Sequence, residues 1–423
     1  MMSNQQQRSF FFNVDWLTVL LYLVLCAIGW FNIRAAVYAP GHSSLIDTST
    51  NYGKQFIFIC ASLVVAIVIL LLESRFIAAL APAFYVIVLL LLILVLIIGR
   101  NVGGNQAWIN MGGGFRLQPS EFAKLATCLL LARYLSGTNI RVTEPKSFMM
   151  AAGIIGLPML LILRQPDMGS TLVFCSLIFV LYREGLSPYF LVIAGLFIAL
   201  FVMALLYNPL YIILTLVAIT ALVVYWGRRN RKLITTMVIG LGICIAFIFS
   251  VKFIYSKVLK QHQTERINIL LGITTDLRGE GYNVNQSKIA IGSGKLWGKG
   301  YLHGTQTQYS FVPAPSTDFI FCTIGEEWGF VGSITVIGLF MFLILRVIYI
   351  AERQRSPFTR VYAYGVASVL FFHVVINIGM TIGIVPVIGI PLPFISYGGS
   401  SLLNFTILLF VLIKLDSNRM GII

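Results

Sequence analysis

Runs of about 20 consecutive apolar residues, each long enough to cross the hydrocarbon core of a bilayer as one α-helix, recur along the whole 423-residue chain. Twelve can be read, at 14–34, 54–72, 76–99, 119–135, 148–164, 168–183, 188–207, 210–227, 233–255, 317–349, 361–384 and 400–416. The fourth and sixth are short or polar, and the tenth is long with Glu326 and Glu327 inside it. Composition closes off the soluble alternative: 58% of the residues are apolar and 11% charged, whereas a soluble surface needs about 25% charged residues. The chain is therefore predicted to be an all-α polytopic membrane protein, a single integral membrane domain over 1–423.

Orientation follows from basic residues in short loops. With the N-terminus inside, Arg75, Arg141 and Lys146, Arg183, the cluster Arg228, Arg229, Arg231 and Lys232, then Arg353, Arg355 and Arg360 all fall inside. So does the C-terminal tail with Arg419, making both termini cytoplasmic. The net charge of +15 is read as this cytoplasmic enrichment and not as a nucleic-acid surface. Six cysteines without a CxxC or Cys/His cluster suggest neither a disulfide framework nor a metal site. No cleavable signal is evident, because the first apolar run is long enough to remain as an anchor. Asp15, Glu73, Glu144, Glu184, Glu352 and Asp416 flank the inner face and are read as solvated.

Four segments then lie outside: 35–53, 100–118, a large extracytoplasmic loop at 256–316, and the bend 385–399. Lysines and arginines in the large loop call for an anionic ligand or membrane lipid headgroups. Few carboxylates exist in this chain, so those near apolar stretches are informative. Asp318, ahead of a span, reads as a helix cap or as a carboxylate available for general base or cation-ligand work. Glu121 and Lys124 stand three apart, on one helix face, as a stabilising pair or as the lining of a polar cavity. Trp108, at a loop tip, is an interfacial anchor or a platform for a sugar ring. Asp167 follows a proline break and reads as a cap.

The glycine-rich stretch 281–300 carries Lys288 and Lys299, whose ammonium groups could cradle a pyrophosphate. The bend with Pro386, Pro391 and Pro393 cannot be a regular helix. Irregular backbone at membrane depth is tolerated only beside protein or a polar cavity, so this bend, with Ser396 in it, marks a cavity.

Together the segments Gln118-Pro-Ser-Glu-Phe-Ala-Lys124, Gln165-Pro-Asp-Met-Gly169, Asn285 to Gly294, Gly298-Lys-Gly300, Gly304-Thr-Gln306, Thr317-Asp-Phe-Ile-Phe321, Gly325-Glu-Glu327 and Pro393 to Ser401 resemble the SEDS family of shape, elongation, division and sporulation proteins. Gly304-Thr-Gln306 and Gly383 to Pro391 are similar to its elongation branch. The resemblance implies a polymerase of lipid II that works with a class B penicillin-binding protein. It implies that Asp318 is the essential acidic residue and that Trp108, Arg116, Glu121, Lys124 and Asp167 matter for activity. It also implies a SEDS-type bundle with a core of ten spans, so that a count of about twelve places an inserted helical hairpin within 188–255. One departure is Ala107, where the family often carries arginine before the tryptophan. No cofactor is required by this reading, although a divalent cation could orient the acceptor at Asp318. A lipid flippase and a non-catalytic scaffold of the elongation complex are the alternatives. Neither would need the Asp318 carboxylate.

Overall fold

The computed structural model describes residues 13–38, 47–102, 105–112, 115–227, 230–258, 264, 268, 280–309 and 311–419. Arg228, Arg229, Lys260, Arg266 and Arg278 lie outside the described residues. Two compact units are present: Met1–Leu186 with Tyr282–Ile423, and Ser187–Gly281.

In the first unit, α1 (Trp16–Ala36), α2 (Asn51–Leu71) and α3 (Ser74–Ile98) lead into three short strands, β1 (Arg100–Val102), β2 (Asn105–Gly112) and β3 (Phe115–Leu117). Then come α4 (Pro119–Leu135), α5 (Pro145–Leu163), α6 (Met168–Cys175) and α7 (Ile178–Arg183). The second unit holds α8 (Tyr189–Leu206), α9 (Pro209–Trp226), α10 (Arg231–Phe253) and a π-helical turn, Ile254–Val258. The first unit resumes with α11 (Glu280–Ser293), α12 (Thr305–Gln308), α13 (Ile320–Glu352), α14 (Pro357–Thr381) and α15 (Gly399–Ser417).

Every apolar run became helix, but ten helices among the described residues are long and apolar enough to cross a membrane. The two runs flagged as short or polar differ: one is the 17-residue α4, the other is broken into α6 and α7. Local sequence explains the ends. Proline occupies the first turn of α4, α5, α9 and α14, where a missing N–H costs nothing, and Asp15 and Thr50 accept amide hydrogens at the starts of α1 and α2. Burial then sorts the helices: 78% of the α15 window and 67% of the α14 window are buried, against 22% for α2 and 28% for α3. The outer helices of this unit therefore keep an apolar face for lipid, while α4, α14 and α15 form the interior.

Helix α13 breaks at Gly329, whose φ of +63° and close approach to the Gly298 amide exclude a side chain. The carbonyls freed there are not left bare. Glu326 O and Glu327 O accept the amides of Lys299 and Gly300 at 3.0 Å, and the amides of Phe330 and Val331 go to Lys295 O and Leu296 O. The incoming loop thus replaces the missing helical bonds, as irregular backbone in a span requires.

The 100–118 segment, expected as an outer loop, is an antiparallel meander in the order β1-β2-β3, with Arg100 opposite Trp108 and Asn110 opposite Arg116. At the opposite end of the first unit lie four acidic groups expected to be solvated. Asp15 and Asp416 are instead buried, paired with Arg346 and Arg353 respectively. Glu184 and Glu352 pair with Arg360 and Arg183, both at 2.9 Å. Those partners are remote in sequence, so the pairing was invisible to local reading.

Candidate substrate site

The other end of the first unit gathers nearly all the residues singled out in the sequence. Its frame is the proline bend between α14 and α15. Two consecutive peptide groups of that bend are held by side chains: Asn377 donates to Ile390 O at 2.7 Å, His373 Nδ1 donates to Pro391 O at 3.0 Å, and Leu392 N, in the same peptide group as Pro391 O, donates to Ser396 Oγ at 2.8 Å. Gln55 of α2 completes the grip through the Gly398 amide at 3.2 Å. A bend with its polar groups satisfied in this way can persist without helical bonding.

The bend in turn fixes the segment that carries Asp318. Ser396 Oγ donates to Thr317 O at 2.7 Å, Asn377 Nδ2 to Asp318 O at 2.9 Å, and Tyr397 N to Ser316 O at 2.9 Å. Asp318 is half-buried, and among the described residues its carboxylate accepts no hydrogen bond. Gly389, at φ +69°, faces it: a Cβ there would stand 3.4 Å from Asp318 Oδ2. Burial and the negative charge of Asp167 push the Asp318 carboxyl up to about 6. Phe319, not Asp318, is the residue preceding α13, so the cap reading of Asp318 gives way to an open carboxylate.

Asp167 does cap a helix. Its Oδ1 accepts the Ser170 amide at 2.9 Å, while Oδ2 accepts from Gln118 Nε2 at 3.1 Å and Ser120 Oγ at 3.3 Å. Two segments from the same end, the start of α4 and the start of α6, are thereby joined through one buried carboxylate. Gly169 lets the bend pass close by, since a Cβ there would meet Ile388 O at 2.8 Å.

Glu121 and Lys124 form a buried ion pair at 2.7 Å, and Lys124 Nζ also lies 2.9 Å from His373 Nε2. A carbonyl can only accept, so the bond to Pro391 O places the ring proton on Nδ1 and leaves Nε2 as the acceptor for the ammonium. Lys124 also sits 5.2 Å from the Phe405 ring centroid. Among the described residues Glu121 Oε2 has no hydrogen-bond partner.

The lysines of the glycine-rich stretch separate. Lys299 is engaged: Nζ lies 2.6 Å from Glu326 Oε1 and donates to Thr305 Oγ1 at 2.8 Å. Glu326 also accepts the amides of Gln306 and Thr307, so this pair stitches the loop to α13. Lys288 is exposed, its stem laid over Gly383, and among the described residues it has no carboxylate partner. Arg116 is exposed on β3, and its carbonyl accepts from Ser400 Oγ at 2.7 Å. Trp108 is half-buried on β2. Among the described residues no hydrogen bond, ion pair or ring contact joins it to the others. His373 and Asn377 lie inside an apolar run and are not among the residues singled out from the sequence, although a histidine and an asparagine four apart in a span are themselves a signal of a polar face. Among the described residues no three His, Cys, Asp or Glu side chains gather as a metal site.

A family model described as cell cycle protein, for FtsW, RodA and SpoVE, matches residues 15–215 and 183–420. The peptidoglycan glycosyltransferase RodA of Treponema pallidum is 33% identical over 96% of this chain and 98% of its own length. The peptidoglycan glycosyltransferase MrdB of Escherichia coli is 38% identical over 71% of this chain and 68% of its own. Among solved structures, a chain from a peptidoglycan synthase complex that coordinates polymerization and crosslinking superposes with a TM-score of 0.70 at 27% identity, over 96% of this chain and 98% of that one. The rod shape determining protein RodA of Thermus thermophilus superposes with a TM-score of 0.62 at 25% identity, over 96% and 98%.

Proposed function

The chain belongs to the cell cycle protein family of FtsW, RodA and SpoVE, and from that premise we propose that it is a RodA-type peptidoglycan glycosyltransferase of the bacterial cytoplasmic membrane, polymerising lipid II during elongation. The observation that carries the chemistry is Asp318. Its backbone is held by Asn377 and the preceding carbonyl by Ser396, yet its carboxylate keeps no partner among the described residues. A group so placed, with its carboxyl near 6, is poised to take a proton near neutral pH.

In the reaction, the 4-hydroxyl of an acceptor GlcNAc attacks C1 of a donor MurNAc. The hydroxyl proton passes to Asp318, a C–O bond forms with inversion, and the bond to undecaprenyl pyrophosphate breaks. The leaving diphosphate carries away the electron pair and needs positive charge. Lys288, exposed and unpaired with any described carboxylate, is suited to that role, with Arg116 as a second contact. Trp108 offers a face for a sugar ring. Lys299, Lys124, Glu121 and Asp167 support the reading differently, by holding the walls of the site. The partner of the polymerase is a class B penicillin-binding protein. The segment 188–255 carries the inserted hairpin as an accessory to the catalytic unit.

Purified protein supplied with labelled lipid II, with the partner's transpeptidase site blocked, should make glycan strands. Asp318→Asn should lose about 10²–10⁴ in rate, the usual worth of general base work. Normal polymerisation by Asp318→Asn would overturn the assignment, and strands from neither protein would favour the scaffold.

A further inference from the structure

One face of α14 holds both ends of the site. His373 and Asn377 are one helical turn apart and so point the same way. Their side chains grip the adjacent carbonyls of Pro391 and Ile390. Each then reaches a second group on another element: His373 Nε2 takes the Lys124 ammonium of α4 at 2.9 Å, and Asn377 Nδ2 takes the Asp318 carbonyl at 2.9 Å. Both side chains are buried, at 1% and 0% exposure, which makes these hydrogen bonds costly to lose, although Asn377 Oδ1 itself has no partner among the described residues.

We infer that His373 and Asn377 are a pair of positioning residues, which register the Asp318 carboxylate against the buried Lys124–Glu121 pair through two neighbouring peptide groups of the proline bend. The inference rests on the glycosyltransferase reading for its meaning in catalysis, but the coupling itself is a property of the fold. The physical reason for such a device is that Asp318 sits on irregular backbone. A helix holds its side chains by its own hydrogen bonds, whereas residues 313–319 have a single turn bond between their backbone groups, Thr317 N to Ala314 O at 3.1 Å, and lean on outside donors. A 1 Å displacement of a reacting group can cost about 10²-fold in rate. His373 adds polarity to the linkage. Its Nδ1 proton is committed to a carbonyl, so its Nε2 lone pair is always available to the ammonium.

The variants that test this keep volume and change bonding. His373→Phe preserves the aromatic packing on Phe405, 4.8 Å between ring centroids, but loses both hydrogen bonds. His373→Gln can still donate to Pro391 O and accept from Lys124. Asn377→Asp keeps the shape and loses the two donations. In hydrogen exchange, peptides spanning 313–322 and 388–396 should exchange at least tenfold faster in His373→Phe and Asn377→Asp, with the inner end of α1 unchanged and His373→Gln close to wild type. In lipid II polymerisation, His373→Phe and Asn377→Asp should lower kcat per folded molecule by at least tenfold at unchanged KM, with His373→Gln within about threefold.

Unchanged exchange at 313–322 in His373→Phe would overturn the coupling. Faster exchange everywhere, with His373→Gln as impaired as His373→Phe, would mean a role in stability alone and would also overturn it. Loss of the polymerase reading shows up separately, as a wild-type protein that makes no strands while the exchange pattern still holds.

Discussion

The hydroxyl of Ser396 donates to the carbonyl of Thr317 at 2.7 Å while accepting the amide of Leu392 at 2.8 Å. A single oxygen therefore joins the proline bend to the peptide just before Asp318. Ser396→Ala would leave the buried Leu392 amide and the part-buried Thr317 carbonyl unmet, at a cost of about 1–3 kcal/mol. Turnover should fall more than lipid II affinity, because the group that shifts is the base. Thermal unfolding in detergent and separate kcat and KM values check this. A variant with lowered stability and unaltered kcat would show that the bend can move without moving Asp318.

Acid should silence the enzyme through Asp318. Burial and Asp167 raise its carboxyl from 3.8 to about 6, so the base is lost as pH falls through 6 and the rate should drop tenfold per unit below that point. Removing the neighbouring charge with Asp167→Asn should move this limb to lower pH. The linkage to folding has the opposite sense to a salt-bridged carboxylate. The native state holds this proton more tightly than the unfolded chain, so the contribution of Asp318 to stability declines as pH rises from the ordinary carboxylate range through 6. A pH–rate profile whose acid limb is the same in both proteins would contradict the assignment.

The two lysines of the glycine-rich segment should respond differently. Lys299→Ala strands the buried Glu326 carboxylate without its cation, a kind of break that typically costs about 3–5 kcal/mol. Lys288→Ala touches no described ion pair and should leave unfolding unchanged while raising KM for lipid II. Differential scanning fluorimetry beside steady-state kinetics separates them. Equal stability loss in both would remove Lys288 from the diphosphate site.

At the opposite end, Arg353 lies between two buried carboxylates, paired with Asp416 and 3.7 Å from Asp15. Arg353→Ala should destabilise by several kcal/mol with kcat per folded molecule unchanged, since the site lies beyond the length of the spans. Here hydrogen bonds from Arg346 and Thr18 outweigh burial and hold the Asp15 carboxyl below its ordinary range. A variant with wild-type unfolding would show the pairs to be ornamental.

Much of this architecture is legible in the sequence. The spans and their order follow from runs of apolar residues, which report on solvent and need no partner. The bend at 385–399 was readable because three prolines deny it helix. Asp167 was read as a cap and is one. The strands at 100–117 were not foreseen, because they are short, rich in glycine and stabilised by each other. Asp318 reads from sequence as either a cap or a functional carboxylate, because a carboxylate ahead of a helix carries the same local signature whether it binds an amide or stays open.

Hydropathy and backbone chemistry act within a few residues, so the chain alone settled which stretches become apolar helix and which segments cannot be regular, but not the number of full-length spans, read as twelve and found as ten among the described residues. Pairing acts across space. Lys124 meets His373 over a separation of 249 residues, Asn377 meets Asp318 over 59, and Arg346 meets Asp15 over 331. Which carboxylate is neutralised, which lysine remains free and which carbonyl anchors the base depend on distances that no local pattern encodes. Packing alone distinguishes Asp318, whose carboxylate accepts no hydrogen bond among the described residues, from Glu326, which loop donors surround.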